Sequence, residues 1–293
     1  MILKKTRVLG SVELVSAAAI WGGMFVVVKA IVTEIPPIQL VWLRYLVGAV
    51  VLLGMAWARR IQWHWDWSNL MLIGLAGVVG DTLSIVAQET GTWLSSAQLG
   101  SVVTTATPAF MMLFSWPLLQ QRPKWYHWVS LGLASLGVWV IVGHQFSGRH
   151  FILGVLCLLL AALTWALMSV LLQLISPEYD GLQVTFLATV VALVCLTPVV
   201  GIQHRVLQTV AWGSPHVILS IFYLGAVSTA LAFFLWNQGL RHFNSPASGI
   251  FFLIQPVVGS LLGWWCLQEP LSGGFFVGLG LILLSVLVTY RFG

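Results

Sequence analysis

The sequence predicts an all-α integral membrane protein of ten transmembrane helices, arranged as two inverted five-helix repeats with the N- and C-termini cytoplasmic. Three observations predict it. Hydrophobic residues make up 59% of the chain and charged residues 7%, against about 25% charged in soluble domains. Ten apolar runs reach or approach the roughly 20 residues needed to cross hydrocarbon. The chain also repeats part of itself. Helices are the expected spanning element, because lipid offers no partner to an open backbone group and the alternation of a membrane β-barrel is absent.

The first run, 12–32, follows Lys4, Lys5 and Arg7 and so imitates a secretory leader. It continues well past Ala17, Ala18 and Ala19, beyond the about 7–15 apolar residues of a leader. The second run, 38–58, stops at Arg59 and Arg60, and the third, 69–89, follows Trp63, Trp65 and Trp67. A fourth, 97–119, contains Pro108 and ends before Arg122 and Lys124. The fifth, 126–143, closes the first repeat, 8–143. The second repeat, 151–291, holds runs at 151–175, 183–203, 216–237, 245–267 (with Pro256) and 271–291. Trp57, Trp63, Trp65, Trp67, Trp125 and Trp128 flank helix ends and read as an interfacial belt.

Charge placement orients the chain. With the N-terminus inside, the cytoplasmic side receives Lys4, Lys5, Arg7, Arg59, Arg60, Arg122, Lys124, Arg241 and Arg291, and the outer loops receive Arg149 and Arg205. This is a positive-inside bias. No basic patch is present, so nucleic acid is not an expected partner.

The repeat is visible in residues 17–30, AAAIWGGMFVVVKA, and 161–174, AALTWALMSVLLQL. At the offset of 144, Trp21 meets Trp165, Met24 meets Met168 and Gln39 meets Gln183, while Lys29 becomes Gln173. At an offset of 148, Gly77 meets Gly225, Gly91 meets Gly239, Pro108 meets Pro256 and Gln120 meets Gln268. Five helices per copy is an odd number, so the second copy enters from the opposite side. Its equivalents of Arg59, Arg60, Arg122 and Lys124 are accordingly Gln203, His204, Pro270 and Ser272. Inverted repeats of this kind are common among secondary transporters.

Two stretches carry a family resemblance: TATPAFMMLFSWPLLQQRPKWYHWVSLGLASLGVWVIVG and SPASGIFFLIQPVVGSLLGWWCLQEPLSGGFFVGLGLILLSVLVTY. They resemble the paired EamA domains of the drug/metabolite transporter superfamily, with Pro256, Glu269, Gly278 and Gly280 matching and Gln121 replacing a usual glutamate. The resemblance implies a ten-helix carrier, often an exporter of amino acids or related metabolites, in the cytoplasmic (inner) membrane of a prokaryote. Alternatives within the superfamily are a multidrug or a sugar/nucleotide-sugar carrier, and outside it a membrane scaffold or accessory subunit. No Walker, HExxH or GxSxG motif is present, so no enzyme, no cofactor and no metal are expected.

Ionisable groups deep in a membrane point to function. Asp81, near the middle of the third run, either faces a cavity and takes a proton or a substrate amine, or is satisfied by Thr82, Ser84 or a neighbouring helix. Lys29 either snorkels to the interface or faces the cavity. Arg44 lies deeper and is read as inward-facing, and Glu89 as an interfacial charge. Lys29, Arg44, Asp81 and Glu89 have the neutral equivalents Gln173, Ala188, Thr229 and Asn237. A zwitterion would suit such an asymmetric site, its carboxylate near Arg44 or Lys29 and its amine near Asp81. Trp21 and Trp165 line a central cavity or pack. Pro108 and Pro256 are expected to kink their helices and free carbonyls for Thr104, Thr105, Gln255 or water. Gly274 and Gly278 form a GxxxG, used either within the chain or between two copies of a homodimer. The expected partners are therefore a small-molecule substrate, the lipid bilayer and, through Asp81, protons. Tags at the two chain ends should both report from the cytoplasmic face; opposite faces would make the number of crossings odd and remove the inverted design.

Overall fold

The computed structural model describes residues 2–120, 122–143, 149–243, 251–252 and 254–292, and no strand occurs among them. Gln121 lies outside the described residues, as do the side chains of Arg149, Asn237 and Arg241. The helices are α1 (Ile2–Ile31), α2 (Pro37–Arg59), α3 (Trp67–Leu94), α4 (Ala97–Leu119) and α5 (Trp125–Gly143), then α6 (Arg149–Leu171), α7 (Gly181–Ile202), α8 (Pro215–Phe243), α9 (Ile254–Leu267) and α10 (Gly273–Phe292). Among the described residues seven of them, α1–α4 and α6–α8, are long and apolar enough to cross a membrane, and the apolar stretches of α9 and α10 are shorter.

Several expected boundaries shift for local reasons. Helix α3 runs on to Leu94, five residues past the expected stop at Glu89, and that carboxylate is buried inside the bundle. Asp66 starts α3 by accepting the backbone N–H of Asn69 at 3.1 Å, and Asp180 starts α7 by accepting that of Leu182 at 2.8 Å. These are side-chain N-caps. A single turn, Arg205–Gln208, lies between α7 and α8.

Helix α4 tightens to a 3₁₀ turn at Thr104–Ala106, just ahead of Pro108. The carbonyl of Thr104, which the proline leaves without its helical donor, accepts the hydroxyl of Thr107 at 2.6 Å. A matching 3₁₀ turn, Phe251–Phe252, precedes α9 and Pro256. Both α4 and α9 end on a glutamine with positive φ, Gln120 at 56° and Gln268 at 55°.

Glycines set how closely the helices approach. A Cβ on Gly77 of α3 would stand 2.7 Å from the Ala188 carbonyl oxygen of α7, and one on Gly225 of α8 would stand 2.6 Å from that of Arg44 of α2. Gly91 of α3 is placed likewise against the Gly154 carbonyl of α6, and Gly239 of α8 against that of Gly10 of α1. The glycines in each pairing are 148 residues apart and their partners 144. Thus α3 lies on α6 and α7, while α8 lies on α1 and α2.

Helices α3 and α8 each contain a π-helical stretch, Gly77–Ser84 and Tyr223–Leu231. Such a stretch widens the helix and leaves carbonyls for outside donors, and it often marks a functional site. Here Tyr45 of α2 donates its hydroxyl to Asp81 O at 2.8 Å, and Trp21 of α1 donates its indole N–H to Ser228 O at 3.1 Å. Helices α5 and α10 form a pair of their own. A Cβ on Gly137 would meet Gly278 O at 2.6 Å, and Ser130 donates its hydroxyl to Ser285 O at 2.7 Å. Gly278 is therefore used in packing within the chain.

Gly77→Ala and Gly225→Ala are each expected to cost about 1–3 kcal/mol through overpacking, read as a lowered unfolding temperature in detergent. Nothing lies within 4 Å of a Cβ on Gly74, so Gly74→Ala should instead stabilise α3 by about 0.5–1 kcal/mol.

Candidate functional site

The cavity forms where α1, α2, α3, α4, α6, α8 and the start of α9 converge, a partly open space of about 420 Å³ in which the solvent at its mouth is counted. Trp21 and Met24 face it from α1, Arg44 from α2, Ile85 and Gln88 from α3, and Thr104 and Thr107 from α4. Ala161, Ala162 and Trp165 of α6, Phe233 of α8, Phe252 and Gln255 complete the wall. Its character is apolar and aromatic, with a few polar groups, as small-molecule pockets generally are.

Trp21 and Trp165 meet edge to face, with centroids 6.2 Å apart. Trp21 also stacks on Phe252 at 5.9 Å and touches Phe233 at 5.6 Å. Both alternatives for these residues hold at once, since the rings pack on each other and form the cavity wall.

Arg44 is 1% exposed, and its Nη1 donates to Glu89 Oε1 at 2.8 Å, with the Glu89 side chain fully buried. Glu89 is thus a buried counter-ion and not an interfacial charge. The guanidinium also donates through Nε to Thr229 Oγ1 at 3.1 Å and through Nη2 to Ser228 Oγ at 3.3 Å, both in the π-helical stretch of α8. Nη1 and Nη2 each lie 3.5 Å from the sulfur of Met24. Arg44 therefore joins α1, α3 and α8 in the interior. Among the described residues, Glu89 Oε2 and, on the cavity wall, Gln255 Oε1 are buried without a hydrogen-bond partner.

The remaining expected site residues stand elsewhere. Lys29 does not reach the cavity. Its ammonium donates to the carbonyls of Thr92, Trp93 and Ser95 at 3.2, 2.8 and 2.6 Å, closing the C-terminal end of α3. A cation is favoured there by the helix dipole and the unsatisfied carbonyls. Its neighbour in this corner is Glu269, whose carboxylate accepts the backbone N–H groups of Ala97 and Gln98 at 2.8 and 3.0 Å and so caps the N-terminus of α4.

Asp81 is buried in α3 but does not line the cavity. Its expected partners turn away from it: Thr82 donates its hydroxyl to Gly77 O at 2.9 Å and Ser84 to Ala161 O at 2.8 Å. Thr105 is buried with its hydroxyl on Val102 O, and its neighbour Thr104 takes the cavity position. Met24, Ile85, Gln88, Thr107, Ala161, Ala162, Phe233 and Phe252 are wall residues that sequence reasoning did not single out. The signal for Met24 was present, since it recurs as Met168 in the repeat.

With this geometry in hand, similarity to known proteins decides the family. The profile of the EamA-like transporter family matches twice, at residues 8–143 and 152–291. The chain belongs to the EamA-like transporter family. An uncharacterized transporter of Archaeoglobus fulgidus is similar to it at 27% identity, covering 92% of this chain and 95% of that protein. Bacillus subtilis YetK, also an uncharacterized transporter, is 24% identical over 98% of this chain and 88% of its own length. A solved crystal structure superposes with a TM-score of 0.67 at 18% identity, covering 96% of both chains, and shows the same fold. This EamA-like protein is accordingly a multi-pass membrane transporter.

Arg44→Gln in this EamA-like transporter leaves Glu89 buried without a counter-ion and should cost about 3–5 kcal/mol. Adding Glu89→Gln should recover most of that loss. Unfolding in detergent micelles checks both variants.

Proposed function

We propose that this EamA-like transporter exports small metabolites, amino acids or similar zwitterions, across a prokaryotic cytoplasmic membrane by alternating access. In this reading all ten helices cross the bilayer, both termini are cytoplasmic, and residues 8–143 and 151–291 are two inverted halves that rock about the cavity. The single observation that carries it is the cavity's composition: equivalent residues of the two repeats, Trp21 and Trp165, meet in its wall. Helix α3 lies on the second repeat and α8 on the first, so a solute held there touches both halves.

Charge favours a solute without net charge, a condition a zwitterion meets. Among the described residues the ion pair bordering the cavity, Arg44 with Glu89, is neutral overall, and a net charge in a desolvated site would stay uncompensated. Strongly anionic solutes such as nucleotides lack a cluster of cations among the wall residues. Export follows the resemblance to metabolite exporters.

Counterflow in proteoliposomes tests the reading with a panel of radiolabelled amino acids, sugars and cationic drugs. Preloaded unlabelled amino acid should accelerate uptake of the labelled form, and Trp21→Ala should lower that exchange about thirtyfold, from the about 2 kcal/mol of a buried aromatic anchor. Absence of acceleration by every member of the panel would overturn it.

A further inference from the structure

Three N–H groups converge on one weak acceptor in the cavity wall. Arg44 Nη1 and Nη2 both point at Met24 Sδ at 3.5 Å, and Gln88 Nε2 stands 3.9 Å from the same sulfur. A thioether accepts hydrogen bonds poorly. The other sides of the guanidinium meet oxygen: Nε meets Thr229, Nη1 also meets Glu89, and Nη2 also meets Ser228. Only at the Met24 edge does the buried cation spend two parallel donors on sulfur. Met24, Arg44 and Gln88 all face the cavity.

We propose that this edge of Arg44, together with the amide of Gln88, is the seat of the substrate's carboxylate, and that Met24 covers it until a carboxylate displaces the sulfur. Two parallel N–H groups match the two oxygens of a carboxylate, a stronger arrangement than any contact with sulfur. Gln88 supplies a third donor. Methionine suits the role of a cover, being unbranched and able to swing aside without leaving a polar group stranded.

A second observation independently points to a ligand. Gln255 Oε1, on a side chain 4% exposed, faces the cavity with no donor. A ligand ammonium satisfies it, beside the aromatic rings of Trp21, Trp165, Phe233 and Phe252 in the same wall. The ligand class is thus one with a carboxylate and an ammonium together. The amine is received at Gln255 and the aromatic wall, not at Asp81, which lies off the cavity.

This inference rests on the reading that the cavity holds the transported solute, and its test does not require transport. Thermal unfolding of the detergent-solubilised protein is followed with alanine, leucine and phenylalanine, with their three amides, and with ethylamine, isoamylamine and phenethylamine. The amino acids should raise the unfolding temperature at concentrations about tenfold lower than the amides or amines, the scale of a charge-assisted hydrogen bond. Met24→Ala uncovers the edge and should lower the half-saturating amino-acid concentration about threefold or more while leaving the amides unchanged. Gln88→Leu should weaken the amino acids alone. These two variants keep the Arg44–Glu89 pair intact and so avoid the folding loss of an Arg44 substitution. Equal response to acids and amides, equal shifts of both in Met24→Ala, or no shift with any compound would overturn the proposal. Binding of this pattern without counterflow would overturn the transport reading and leave the carboxylate seat standing.

Discussion

The arrangement depends on one constraint: an arginine is held in the interior with only 1% of its side chain exposed. A buried guanidinium needs both a counter-ion and acceptors for its remaining N–H groups. Glu89 supplies the charge from α3, and Ser228 and Thr229 supply oxygens from α8. Those two helices come from different repeats, so the demands of Arg44 hold the two copies of the motif against each other. The ion pair is poor evidence of stability in itself, since well-packed apolar residues often do as well. Its value is geometric, because it fixes a polar, net-neutral point beside an aromatic wall.

Close approach of the helices follows from a few positions without side chains. Gly77, Gly91, Gly225 and Gly239 let α3 and α8 lie against carbonyls of their neighbours. The π-helical stretches add an irregularity at the same place in each copy. In both, a threonine hydroxyl turns back to a carbonyl five residues earlier, Thr82 to Gly77 and Thr229 to Leu224. The two copies thus share backbone devices while differing in charge: Asp81 in the first has Thr229 as its counterpart in the second.

Much of this was legible in the amino-acid sequence. The repeat, the helical class, the depth of Arg44, the Trp21–Trp165 pair and the proline positions could all be read from composition and spacing. What could not be read was the side of the helix each residue occupies. Hydropathy reports how far Lys29 is from the end of α1, and it says nothing of the fact that the end of α3 stands opposite. Depth alone therefore left Lys29 between the interface and the cavity, and Asp81 between the cavity and its neighbours. The π-helical stretch compounds the difficulty, since one residue of insertion turns everything beyond it by about 100° relative to a regular helix. Gln88 and Glu89 lie beyond such a stretch. Thr105 failed for a similar reason, because the 3₁₀ turn at Thr104–Ala106 hands the cavity position to Thr104.

The corner at Ser95–Ser96 has a mechanical consequence. Lys29 grips the outgoing end of α3, while Glu269, from the link between α9 and α10, grips the incoming end of α4 with both carboxylate oxygens. Parting the link from α4 would leave the backbone N–H groups of Ala97 and Gln98 without their acceptor together, because both depend on the one Glu269 carboxylate.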